Sequence, residues 1–152
     1  MKNAIFLGAV SALATGVLIG IQSFFSGHSG TAVGPFATGL WTNFLGGALA
    51  GILILITLTF FSNESIKISR PIIFVTFISG ALGILIIMGI AFAISKAGVA
   101  AGLAGTIFGQ FLFGILADSF GWGGIDPIPL DSRRVFGLIF MAIAIILLLP
   151  KK

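Results

Sequence analysis

The 152-residue sequence has no cysteine, four acidic residues and a single histidine. Without cysteine there are no disulfides, thiolate metal sites or cysteine nucleophiles, and the redox compartment stays unspecified. Charged residues make up 8% of the chain, against about 25% in ordinary soluble domains. That scarcity excludes a soluble enzyme, a nucleic-acid-binding domain and a disordered tail. The eight Lys and Arg, for a net charge of +4, are too few for a nucleic-acid footprint. What fills the chain is apolar: 58% hydrophobic residues and a mean hydropathy of +1.23. This is the composition of an all-α integral membrane protein, whose cations act as flanking anchors that set topology.

Crossing a bilayer core of about 30 Å takes about 20 apolar residues per helix. Between Asn3 and Asn63 the only titratable side chain is His28, which leaves room for two spans and a turn. The small, polar stretch Ser26-Gly27-His28-Ser29-Gly30-Thr31, with Gly34-Pro35 behind it, predicts that turn. Helix 1 is therefore expected over 4–25 and helix 2 over 35–61, with Pro35 in a first turn, where its missing N–H costs nothing. Glu64, Lys67 and Arg70 form a charged loop, and an uncharged run predicts helix 3 over 71–95. Lys96-Ala97-Gly98 is a tight break before helix 4, at 98–119. The Gly/Pro/Asp-rich stretch 121–134 belongs at an interface, where water or headgroups satisfy its backbone. Helix 5, at 134–149, is short, but Arg133, Arg134, Lys151 and Lys152 can snorkel and extend it. The expectation is one domain over 1–152, with five transmembrane helices in a glycine-rich bundle. The apolar run behind Met1-Lys2 is longer than the roughly 7–15 residues of a signal-peptide core, so cleavage is not expected.

With five spans, Lys2, Lys67, Arg70, Arg133 and Arg134 fall on one face and Lys96, Lys151 and Lys152 on the other. This bias favours a cytoplasmic N-terminus, by a margin narrow enough to make insertion in both orientations a working hypothesis. Twenty-two glycines exceed what loops need. Gly16 and Gly20, Gly47 and Gly51, and on helix 4 Gly98, Gly102, Gly105 and Gly109 stand at spacings that let helices approach closely. The helix 4 set is the candidate packing, sliding or dimerising surface.

Polar groups at membrane depth are few. Gln22, Asn43 and Gln110 carry amides that cost several kcal/mol if left bare in hydrocarbon, so each should face protein or a wet cavity. Thr15, Thr42, Thr76 and Thr106 add hydroxyls that can bond to their own helix carbonyls. Gln110, Gly114 and Asp118 form a strip running from mid-membrane towards the surface. Asp118 reads either as a charged group at a cavity mouth or as an interfacial carboxylate that pairs with Arg133 or Arg134, or fixes the turn after it. No Ser/His/Asp set, phosphate loop or cluster of acids and histidines is present, so no enzyme, metal or cofactor is expected.

Gly109-Gln110, Asp118-Ser119-Phe120-Gly121, and Arg134 with Gly137 resemble the signature of the YdcZ-like proteins, small five-helix members of the drug/metabolite transporter superfamily. The glycine-rich first helix ending in Gln22 and the Gly46-Gly47 step agree with it. Ser26 departs, standing where such proteins tend to carry an asparagine. The resemblance implies a bacterial inner-membrane protein that is half of an inverted-repeat transporter, completed by a second copy, in antiparallel or other arrangement, or by a paired homologous subunit. The resulting expectation is an exporter of a small organic metabolite or amphipathic compound, working by alternating access. Gln22 and Gln110 would line its cavity, with Trp41 at the rim and Asn43 and Asp118 completing the substrate-binding set. The alternatives are a non-transporting scaffold or regulatory subunit, and a lipid flippase-like protein.

Overall fold

A computed structural model of the chain describes residues 2–60, 68–122, 124 and 126–150, with side chains from residue 6 onward. It is all-helical: α1 Lys2–Val33, α2 Pro35–Phe60, α3 Arg70–Ala97, α4 Val99–Phe120 and α5 Ser132–Leu148. The helices α1 to α4 are long and apolar enough to cross a membrane. α5, with 17 residues, is about 25 Å long and falls just short of that length. The topology-setting Lys67, Lys151 and Lys152, together with Glu64 and Phe61, lie outside the described residues.

Helix 1 does not stop at residue 25. It runs on to Val33, and the stretch expected to be a turn, 26–31, is helical. Its small polar residues are interface residues. Ser23, Ser26, Gly27 and Gly30 recur at i, i+3, i+4 and i+7, which is one helical face, and all four are buried. Small side chains on such a face let a neighbouring helix come close. A Cβ added to Gly30 would lie 2.9 Å from the Cβ of Ala91 on α3. The chain instead reverses at Gly34, whose φ of 87° suits glycine, and Pro35 opens α2 in the first-turn position expected of it.

The chain forms two compact units, Met1–Phe92 and Ala93–Lys152. In the first, packing concentrates where the end of α1, the start of α2 and the later part of α3 meet. Thr38 and Gly39 of α2 are buried, and a Cβ on Gly39 would come within 2.7 Å of the Ile84 carbonyl oxygen. Ser29 Oγ and Thr38 Oγ1 share a hydrogen bond of 3.0 Å between α1 and α2. In α3, Ile87, Ile90 and Ala91 are buried. By contrast, residues 6–19 of α1 and 71–82 of α3 are exposed along their length.

In the second unit Gly98, at φ 80°, makes the break that separates Ala97 from α4. Gly102 then packs on Ile94, 3.0 Å from its Cγ1 to an added Cβ. α4 ends on Gly121 in the left-handed conformation, with the Gly121 and Trp122 N–H groups donating to the Asp118 and Ala117 carbonyls. This is a Schellman-type stop. α5 starts from Asp131, whose carboxylate accepts from the Arg134 N–H at 2.9 Å, an N-cap of the ordinary kind.

Candidate functional site

Within the first unit, Gln22, Trp41 and Asn43 line one open cavity of about 1300 Å3. The helix geometry sets its depth. Gln22 lies 12 residues and Asn43 nine residues from the Gly34 turn, or about 18 and 14 Å along their helices at roughly 1.5 Å per residue. Both amides therefore stand well inside helices long and apolar enough to cross a hydrocarbon core of about 30 Å. Trp41 and Phe44 meet edge to face with ring centroids 5.9 Å apart, and Phe77 of α3 faces the same space. The hollow itself is made by small residues: Gly46, Gly47, Ala50, Gly80 and Ala81 all border it. At Gly46, Gly47 and Gly80 an added Cβ would meet nothing within 4 Å.

The two amides differ in how they are held. Asn43 is half-buried and its Nδ2 donates to the Gly39 carbonyl one turn earlier, at 2.9 Å. Its Oδ1 points at α3, so near Gly83 that a Cβ there would sit 2.8 Å away. Gln22 is exposed and forms no hydrogen bond among the described residues. Thr76 and Thr106 return their hydroxyls to the Ile72 and Gly102 carbonyls of their own helices, as expected of threonine in hydrocarbon.

Gln110 and Asp118 belong to the second unit. Gln110 is exposed on α4, has no hydrogen bond among the described residues, and borders neither that cavity nor the smaller one between α4 and α5. Asp118 borders the smaller cavity, of about 520 Å3, together with Gly114 but without Gln110. Its Oδ2 lies 3.2 Å from Arg134 Nη1, with the side chains 35% and 27% exposed. Asp118 also holds the turn after α4: its carbonyl accepts from both Gly121 and Ile128, while Ser119 Oγ donates to Ile115. The geometry displays features of both readings of Asp118, a carboxylate bordering a cavity and one that pairs with Arg134 and holds the turn.

The four candidate packing glycines of helix 4 divide. Gly102 is packed, Gly98 is the turn residue, and Gly105 and Gly109 face open space within the chain. The residues that close the helices together, Ser23, Ser26, Gly30, Thr38 and Gly39, were not among the candidates. The i, i+3, i+4, i+7 recurrence of small residues was the signal for those on α1.

The family described as "Putative inner membrane exporter, YdcZ" matches residues 7–147, nearly the whole chain. No curated protein and no solved structure matches it. The chain belongs to that exporter family and is an integral inner-membrane protein.

Proposed function

We propose that this inner-membrane YdcZ-family protein exports a small, uncharged or zwitterionic amphipathic solute, which it holds in the cavity of its first unit. The observation that carries the reading is the gathering of Gln22, Trp41 and Asn43 around one space of about 1300 Å3. Its lining pairs aromatic faces with a few polar groups, the usual make-up of a small-molecule site. Among the described residues no charged side chain lines it, which favours neither a strongly charged solute nor proton antiport through a central carboxylate.

The working unit in this reading is a pair of chains, two copies or a copy with a homologous subunit, moving by alternating access. The state of Gln110 supports it: an exposed mid-helix side-chain amide with no hydrogen bond among the described residues would cost several kcal/mol against lipid. A second chain covering that part of α4 removes the cost. α5 is read as the fifth crossing, with Arg133 and Arg134 snorkelling at one end to make up its length.

The test is a thermal-shift screen of the purified protein against neutral and zwitterionic amphipathic compounds, followed by flux in proteoliposomes. A ligand that binds the folded state raises Tm. Trp41→Ala and Gln22→Leu should each remove both the shift and the flux while leaving the unliganded Tm in place. Ligands that stabilise both variants as well as the wild type would remove this cavity from the function.

A further inference from the structure

The space between α4 and α5 has the features of a second site, built from one stretch of the second unit and independent of the export reading. Phe111, Ile115, Leu138 and Met141 wall it, and Gly114 and Gly137 border it. An added Cβ at either glycine would meet nothing within 4 Å, so both leave a channel along the helices. At about 520 Å3 it falls inside the roughly 300–1,000 Å3 range of small-molecule sites.

Its one polar feature among the described residues is the Asp118–Arg134 pair. Arg134 Nη1 is buried and makes no hydrogen bond among the described residues, although Asp118 Oδ2 is 3.2 Å away. Asp118 stands two residues before the end of the 22-residue α4, and Arg134 two residues after the start of α5. A 22-residue helix is about 33 Å long, close to the thickness of the hydrocarbon core, so the pair lies at headgroup depth. Trp122, four residues after Asp118 and stacked on Phe120 with ring centroids 5.7 Å apart, is of the residue type enriched at a membrane interface.

An alkyl chain gains little by leaving its neighbours in the bilayer for an apolar groove. Selection therefore falls to the charged mouth. A head with one negative charge would draw Arg134 away and leave the Asp118 carboxylate uncompensated. A head with both signs gives each partner a counter-charge. Its phosphate takes guanidinium donors that one carboxylate does not use, and its ammonium meets Asp118. We propose that the α4–α5 groove binds a zwitterionic amphiphile of the phosphoethanolamine type, its alkyl chain over Gly114 and Gly137 and its head on the Asp118–Arg134 pair.

Native mass spectrometry of the full-length protein in non-ionic detergent tests this, with phosphatidylethanolamine, phosphatidylglycerol and single-chain lysophosphatidylethanolamine as probes. The wild type should retain phosphatidylethanolamine about tenfold more tightly than phosphatidylglycerol, a difference of about 1.4 kcal/mol. Gly114→Leu and Gly137→Leu, which fill the groove, should each lower that retention by about tenfold. Tighter binding of the two-chain form marks a bilayer lipid as the source, and equal or tighter binding of the single-chain form marks a free amphiphile; both support the site. Equal retention of the two phospholipids by the wild type, or unchanged retention in both leucine variants, overturns it. If the leucine variants lose helicity, the Asp118→Asn, Arg134→Gln double variant decides. It should bind the two phospholipids alike, and a preserved preference overturns the proposal.

Discussion

Gly39 and Gly47 are two turns apart on α2 and have opposite surroundings. A side chain on Gly39 would strike the backbone of α3, 2.7 Å from the Ile84 carbonyl oxygen, whereas one on Gly47 would meet nothing within 4 Å. The same contrast separates Gly30 from Gly16 and Gly20 on α1, and Gly102 from Gly105 and Gly109 on α4. Glycine therefore serves two ends in one chain. At the first set it brings backbones together, which lipid alone does not drive. At the second it hollows the surface, and three of these open glycines, Gly46, Gly47 and Gly80, border the large cavity.

The contrast is sharpest in a pair of leucine substitutions. Gly39→Leu should cost about 1–3 kcal/mol or more by overpacking against fixed backbone, seen as a lowered Tm in detergent. Gly47→Leu should leave stability within about 0.5 kcal/mol, as for a surface site, while abolishing flux by filling the cavity. Should Gly47→Leu melt as early as Gly39→Leu, the two glycine sets are not different in kind. A middle-sized effect is expected at the turn. Gly34→Ala, at φ 87°, should lose about 1–2 kcal/mol to left-handed strain, with a matching fall in Tm.

Two smaller effects bracket the polar contacts. Thr38→Val removes the hydroxyl shared with Ser29 and should cost about 0.6 kcal/mol, the usual worth of such a bond between membrane helices. A double-mutant cycle with Ser29→Ala measures it. Breaking the Asp118–Arg134 pair by Arg134→Gln should change stability by less than about 1 kcal/mol, because both side chains are partly exposed. The change should shrink further in high salt.

The sequence carried depth well and direction poorly. Unbroken apolar runs ended by proline, glycine and charge placed α2 to α5 within two residues or so of their observed ends, because hydrophobic length is fixed by the bilayer. Residues 26–31 misled for a physical reason. Small polar residues mark a loop in water, but between membrane helices they are the contact surface. The grouping of Gln22, Trp41 and Asn43 followed from the short Gly34 turn, which sets two helix ends at one level and brings residues at similar distances from it side by side. Gln110 has a comparable depth on α4 and yet borders neither cavity, since depth says nothing of which way a helix is rotated. The Asp118–Arg134 pair was legible as an option because two opposite charges flank one interfacial loop.

The chain has no cysteine of its own, so single cysteines can report whether the first-unit cavity holds water. Thr42 borders that cavity. Leu45 stands three residues on in α2, at nearly the same depth, exposed but outside the lining. In proteoliposomes, Thr42→Cys should react with a charged, membrane-impermeant thiol reagent far faster than Leu45→Cys. Equal, slow reaction at both positions would mean that the space is filled by lipid, and the solute site assigned to Gln22, Trp41 and Asn43 would be contradicted.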